Sequence, residues 1–427
     1  MKKSHFEKLL TRVDERVPRY DLLDRYYTGT QPLAFMAPEA SEALGGRFGR
    51  MSSNIPRLAV TSLAERLRVT GFQTNVDDSA AWTDWKRNDL DQLAGVVHRE
   101  ALTLGQSFAI VWADGQGRPQ VSVESARTMA VIRDPETRQV TAAVKRWETD
   151  TSTEASLFLP DRVVRYTSAS RNSITGFRQI DSTPNPLGVV PVVVFSNGDR
   201  LLNEGVSELD DLIPLVDSLN KTLADLMVSS EFAGRPRRWA TGIELDRDEE
   251  GNAINPIPDG PRTMYSELAD TKFGQLPGAD LGSYEASVRI ILGQIMAVSA
   301  LPAHYIGITT SNPVSADALR ASEASLTARA EARQAQFGRS WEWVARLMLA
   351  VRTGRNVEDI EADVKWADAA TRSTAQEADA VVKLVQAGIL PVSVALERLG
   401  YDSDEIVRIR EARRSEAFEN AAAGLTA

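Results

Sequence analysis

The segment GVSELDDLIPLVDSLNKTLADLM, residues 205–227, begins the part of the chain that decides the fold. Ser207, followed three residues later by Asp210, resembles the capping box that starts a helix. Apolar residues then recur at spacings of three and four, which predicts an amphipathic helix with the seam Leu209, Leu212, Val216, Leu219, Leu223 and Leu226. Pro214 lies inside this pattern and predicts a kink.

The order of the elements after this helix is unusual. The helix should end in a Gly- and Pro-rich insert, residues 234–282, which predicts short strands and loops. A second helix follows, with an apolar face made of Val288, Ile291, Leu292 and Ile295. Residues 303–314 have no helical pattern. A third helix then runs from Ser315 to about Arg352, and at about 1.5 Å per residue it should span about 55 Å.

The regions on either side of this segment are simpler. Helical stripes come first, with a break at Pro18, a helix end at Gly29 and a helix from Asn54 to about Phe72. Short strands joined by turns follow them, so residues 1–204 predict an α+β domain. After the third helix the pattern is again helical. The whole chain is therefore expected to be α+β and rich in helix.

The composition restricts the classes of function. A net charge of -10 argues against a broad basic face that grips nucleic acid, but not against a protein that lets DNA slide past without holding it. The sequence contains no cysteine, which excludes disulfides, zinc–cysteine sites and cysteine nucleophiles. Neither a signal peptide nor an apolar run of about 18 residues is present, so we expect an intracellular protein, or one released by lysis, with no membrane contact.

Motifs for catalysis and for cofactors are absent from the sequence. His5, His98 and His304 are scattered, and neither a phosphate-binding loop nor a GxSxG elbow occurs. The stretch Asp246–Gly251 faintly resembles a calcium loop, but Ile257 occupies its twelfth position and a solvated turn is the better interpretation. We therefore predict no catalytic, cofactor-binding or metal-binding residues, and no enzyme.

Two stretches are candidates for contact with a partner. Arg235, Arg237, Arg238 and Trp239 would suit nucleic-acid phosphates with a stacking ring, helix-terminal carbonyls with nearby acids, or the surface of a protein partner. The second stretch is small, polar and uncharged, and its central residues are Thr309, Thr310, Ser311 and Asn312. It would touch a polyanion without holding it, or serve as an ordinary linker.

Four stretches together resemble the portal proteins of tailed bacteriophages with long tails. They are YYTGTQPL (26–33) with NIPRLAV (54–60), NPLGVVPVV (185–193), GVSEL (205–209) and, as the most specific, PVSADALRASE (313–323). They are spread over nearly the whole chain, and none of them is a catalytic signature. The resemblance implies the portal fold, in which subunits form a ring that is normally dodecameric in the virion.

The resemblance also implies a division of the chain into the parts of a portal subunit. These are a wing (1–204), a first stem helix (205–233), a clip (234–282), a second stem helix (283–302), a tunnel loop with the long spine helix (303–352) and a helical crown (353–427). In this division the loop 303–314 would face DNA. The cluster that begins at Arg235 would lie in the clip and bind the packaging motor or an adaptor.

The function that the resemblance implies is structural. The ring would be assembled in the host cytoplasm and sit at one capsid vertex of the virion, as the channel for packaging and ejection of double-stranded DNA without sequence specificity. Its partners would be copies of itself, the major capsid protein, a scaffold protein, the terminase and a head-completion or adaptor protein. The alternatives are another phage ring or shell component, such as a capsid or tail-tube protein, and a phage-associated hydrolase.

Overall fold

The computed structural model describes residues 5–34, 52–198, 200–201, 204–234, 238–243, 247–252, 268–275, 281–307, 316–370, 374–401 and 403–424. Its helices are α1 His5–Thr28, α2 Ile55–Ala64, α3 Asp78–Arg87, α4 Leu90–Leu104, α5 Ile213–Gly234, α6 Gly282–Ser299, α7 Ala316–Thr353, α8 Thr374–Gln386, α9 Val392–Arg398 and α10 Ser403–Gly424. Its strands are β1 Val69–Thr74, β2 Gln106–Ala113, β3 Pro119–Ser125, β4 Met129–Arg133, β5 Val140–Glu148, β6 Thr153–Phe158, β7 Arg162–Ser168, β8 Arg178–Pro184, β9 Val192–Ser196, β10 Arg238–Thr241, β11 Lys272–Gln275 and β12 Ala362–Trp366.

The chain divides into two compact units. The first comprises Met1–Asp24, Leu58–Asp210 and Ala300–Ala427, and the second comprises Arg25–Arg57 and Asp211–Ser299. Each unit therefore draws on segments that are far apart in the sequence.

The first unit contains a five-stranded antiparallel sheet in the order β4-β5-β6-β7-β8. Helix α1 packs against it through Phe6, Leu9, Leu10 and Val13, which are buried against alternating apolar residues of β4 to β7. This alternation is typical of a sheet with one buried face and one solvated face. Helices and strands thus both occur in the described part of residues 1–204.

A second sheet of the first unit, in the order β3-β2-β9, packs against the long helix α7. The C-terminal half of α7 is apolar, and Phe337, Trp341, Val344 and Met348 are fully buried. The 38 residues of α7 confirm the predicted third helix to within one residue at each end. Burial of a continuous apolar face stabilises a helix of this length far more than local propensity does.

Several predicted boundaries in the first unit were wrong. Helix α1 passes through Pro18 without ending, because residues on both sides of it, such as Val13 and Tyr20, are buried. The helix predicted to reach Phe72 ends at Ala64, and β1 follows it. The chain beyond Gly354 is not wholly helical, because β12 pairs antiparallel with β1 there.

The second unit contains the helix pair α5 and α6, which pack against each other, and the two-stranded ribbon β10–β11. Helix α6 confirms the predicted second helix, whereas α5 begins at Ile213 and not at the expected capping box. Pro214 is therefore in the first turn, where a missing N–H breaks no intrahelical hydrogen bond, and the reason for a kink disappears. The order helix, insert, helix is as predicted.

Candidate functional site

The structure describes two of the eight candidate contact residues, and they lie next to each other. Arg238 and Trp239 begin strand β10, which pairs antiparallel with β11 in the register Arg238 with Gln275 and Trp239 with Gly274. Arg235, Arg237 and the loop residues Thr309, Thr310, Ser311 and Asn312 lie outside the described residues.

The ribbon presents Trp239 on its surface. The indole is 41% exposed and lies so close to the backbone of Gly274 that a Cβ there would overlap its ring. Phe273, in the neighbouring cross-strand pair, is also 41% exposed, and alternation along a strand places it on the opposite face of the ribbon. An exposed aromatic ring that packs on a glycine is suited to a protein or nucleic-acid contact.

Residues 247–252, which include most of the stretch that faintly resembled a calcium loop, form an exposed turn, and Asp246 lies outside the described residues. The carboxylate of Asp248 accepts hydrogen bonds from the amides of Glu250 and Asn252 at 3.1 and 2.7 Å. Arg247 donates to the carbonyl oxygen of Gly251 at 2.7 Å. The carboxylate of Asp248 thus holds the turn together through its own backbone.

Polar contacts inside the second unit fix the start of its helix pair. The Tyr26 hydroxyl donates to the Asp217 carboxylate at 2.8 Å, and burial followed by this hydrogen bond raises the pKa of Tyr26. The side chain of Asn220 is buried and accepts from the amide of Ser53 at 3.0 Å. Farther along, apolar side chains of the pair are exposed, with Met227 at 45% and Ile290 at 68%. These exposed side chains are candidates for contact with another subunit.

The motif GVSEL anchors the chain in the first unit immediately before the second unit begins. Gly205, at φ +143°, crosses so close to Gly105 that a Cβ at Gly205 would overlap the Gly105 carbonyl oxygen. The Ser207 hydroxyl donates to the Thr103 carbonyl oxygen at 2.5 Å, and the Glu208 amide donates to the Leu102 carbonyl oxygen at 2.9 Å. Ser207 is therefore not a helix cap, and the predicted capping box was wrong.

Glu208 connects this anchor to the long helix. Its carboxylate, 11% exposed, accepts from Arg333 at 2.7 and 3.1 Å and from Arg329 at 3.3 Å, both on α7. Charge-assisted bonds of this kind are strong when both partners are partly removed from water. Sequence patterns gave no signal for this link, because 125 residues separate Glu208 from Arg333.

The described parts of the chain show no constellation suited to catalysis. His98 is fully buried, its Nε2 accepts from the Trp341 indole at 2.8 Å, and burial lowers its pKa to about 3. Among the described residues, three or more metal-ligating side chains nowhere come together. None of the helices that the structure describes has the length and apolar character needed to cross a membrane.

The helix pair with the ribbon between its helices in the chain, the GVSEL anchor, and the long helix α7 with its buried C-terminal half are the features expected of a structural subunit of the phage portal class. The chain belongs to the family of SPP1 Gp6-like phage portal proteins, whose family model matches residues 7–418. This family is structural and not enzymatic, so the hydrolase alternative is set aside.

Curated relatives agree with this family. The chain is 29% identical to the portal protein of Mycobacterium phage L5, over 96% of this chain and 90% of that protein. It is 30% identical to the portal protein of Mycobacterium phage D29, over 87% of this chain and 79% of that protein.

Two of the similar solved structures come from gene transfer agent particles. A chain of the native virion matches with a TM-score of 0.51 and 14% identity, over 92% of this chain and 99% of that chain. A chain of the native neck, computed with C12 symmetry, matches with a TM-score of 0.50 and 15% identity, over 89% and 93%. At this level of identity the likeness concerns the fold.

Proposed function

We propose that this portal protein assembles into a ring of about twelve subunits at one vertex of the capsid. The observation that carries the proposal is the match to the portal family over residues 7–418. The similar neck chain, which shares the fold, comes from an assembly with C12 symmetry. The ring, assembled in the host cytoplasm, is the channel through which double-stranded DNA enters and leaves the virion, without sequence specificity.

The division of the chain into wing, stem, clip, tunnel loop, spine helix and crown belongs to the same proposal. It is supported by the β10–β11 ribbon, which lies in the chain between α5 and α6 as a clip lies between two stem helices. It is also supported by the exposed Met227 and Ile290 on this helix pair, which a neighbouring subunit would cover.

The partners follow from this division. We assign the terminase and a head-completion or adaptor protein to the clip, where Arg235, Arg237, Arg238 and Trp239 lie in the sequence. The major capsid protein and a scaffold protein contact the ring as the head is assembled around it. The uncharged loop with Thr309, Thr310, Ser311 and Asn312 faces DNA, since it offers no cation that would hold a phosphate.

Mass photometry and negative-stain imaging of the purified protein test the ring. We expect particles with a central channel and a mass of about 560 kDa, which is twelve times the 46.8 kDa of one chain. Closed shells or long tubes would contradict the proposal and favour a capsid or tail-tube protein instead.

A further inference from the structure

The buried side chain of Arg66 joins the two stretches of chain that flank residues 308–315. Arg66 follows α2, and its side chain is only 8% exposed. Its Nη2 donates to Glu323 Oε2 at 2.9 Å and to the Tyr305 hydroxyl at 3.3 Å. Tyr305 lies in the short 3-10 helix Ala303–Ile306, before residues 308–315, and Glu323 lies on α7, after them. One guanidinium therefore bonds to both flanks.

Further hydrogen bonds fix the position of Arg66 itself. Its Nη1 donates to the Ala369 carbonyl oxygen at 2.7 Å and to the Thr327 hydroxyl at 3.3 Å. Gln334 donates from α7 to the main-chain oxygen of Arg66 at 3.0 Å. Thr327 and Gln334 follow Glu323 by one and by three helical turns, so these three contacts lie on one face of α7.

Glu323 completes the link between the flanks. Its carboxylate is 12% exposed, and Oε1 lies 3.2 Å from Nε2 of His304, which is in the same 3-10 helix as Tyr305. Burial alone would lower the pKa of Arg66, but the hydrogen bonds from its side chain to Glu323 and Tyr305 outweigh burial and raise it. Arg66 and Glu323 are thus a nearly buried ion pair with additional neutral partners.

We propose that Arg66 is a positioning residue, which, together with Glu323, holds the 3-10 helix Ala303–Ile306 and the N-terminal half of α7 at a fixed separation. The planar guanidinium is required because it reaches partners in three directions, whereas a lysine ammonium provides a single point charge. The consequence for DNA rests on the proposed function. If residues 308–315 face the channel, Arg66 determines where that loop is held relative to the DNA.

Spin-label distances between the two flanks test this role. The chain has no cysteine, so the double substitution Ala303→Cys and Ala318→Cys places one label on each flank and none elsewhere. We expect one narrow distance distribution in the otherwise unchanged protein. Arg66→Ala, Arg66→Lys and Glu323→Gln should each broaden it about twofold, because the flanks then fluctuate independently. Arg68→Ala is the matched control, since Arg68 is exposed and only two residues away.

An unchanged distribution in the Lys and Gln variants would overturn the positioning role. These two variants keep a similar shape, so they carry the test if Arg66→Ala fails to fold. The labelled protein is diluted with unlabelled protein, so the distances lie within one subunit and the result does not depend on ring formation or on DNA. Counting DNA-filled heads assembled with Arg66→Lys then tests the link to the channel separately. Normal filling despite broadened distances would leave the positioning role in place and contradict its effect on DNA.

Discussion

His98 lies on α4 with its ring stacked on Phe337 at a centroid distance of 5.3 Å and with Nε2 bonded to the Trp341 indole. Because Nε2 accepts that hydrogen bond, the ring is neutral and carries its proton on Nδ1. Burial lowers the pKa of His98 from 6.5 to about 3. A histidine that titrates so far below its unfolded value destabilises the folded state as the pH falls below 6.5, since the unfolded chain then binds more protons.

We therefore expect the free energy of unfolding to fall between pH 7 and pH 5, with about 2 kcal/mol of the decrease due to His98. Urea unfolding at both pH values, at one fixed protein concentration, measures this decrease. His98→Gln should make the decrease smaller by that amount, whereas the exposed control His5→Gln should leave it unchanged. An equal pH dependence in the two variants would contradict a neutral, buried His98.

The GVSEL anchor is the element whose backbone leaves least room for change. Gly205→Ala should destabilise the first unit by about 2–4 kcal/mol, because the new Cβ meets the Gly105 carbonyl oxygen at a φ that residues other than glycine rarely adopt. Gly115→Ala is the control, since its Cβ would point into open space. The midpoint of urea unfolding distinguishes the two variants, and similar midpoints would refute the close crossing of Gly105 and Gly205.

We predict that the β10–β11 ribbon contacts a partner protein through Trp239. Trp239→Ala should weaken binding of the terminase from the same phage by at least about tenfold, as removal of an exposed aromatic anchor does at other interfaces. Ring assembly should not change. Phe273→Ala removes an equally exposed ring from the opposite face of the ribbon and is the matched control. Surface plasmon resonance on assembled rings gives both affinities, and equal losses in the two variants would argue against a specific role of Trp239.

Predictability from sequence also differs from element to element. The bounds of α7 were predicted to within one residue and those of α6 to within three, because a repeated apolar face of 3.6-residue period marks both helices. The strand pair β1–β12 was missed, because its short strands join residues as distant as Val69 and Trp366 and carry little periodicity of their own. The helix break predicted at Pro18 was wrong for a different reason. Burial of the residues on both sides of Pro18 stabilises the helix more than the proline destabilises it.

At the scale of the whole molecule, the candidate site was also only partly predictable from the sequence. The local cluster of arginines beside a tryptophan identified Arg238 and Trp239 as candidate contact residues, and the structure places both on one ribbon. The ion pair of Arg66 and Glu323 was not predictable, because the two residues are 257 residues apart and nothing in the stretch that ends at Glu323 points to Arg66. Long-range ion pairs of this kind arise from the fold and leave no local pattern in a sequence.

The net charge of the whole chain bears on how a ring would treat DNA. An acidic subunit with a net charge of -10 is suited to a passage that does not retain a polyanion, because each phosphate held by a basic side chain adds to the affinity. The absence of a phosphate-binding loop from the sequence agrees with a motor that is a separate protein. The proposed function thus combines a channel that does not hold DNA with a motor that is a separate protein.

Cryo-electron microscopy of mature particles, reconstructed without imposed icosahedral symmetry and with this chain tagged, tests the central claim most directly. We expect one ring of about twelve tagged subunits at a single vertex, with density for DNA on its axis. Tagged subunits distributed over the whole shell, or repeated along the tail, would contradict a portal ring at one vertex.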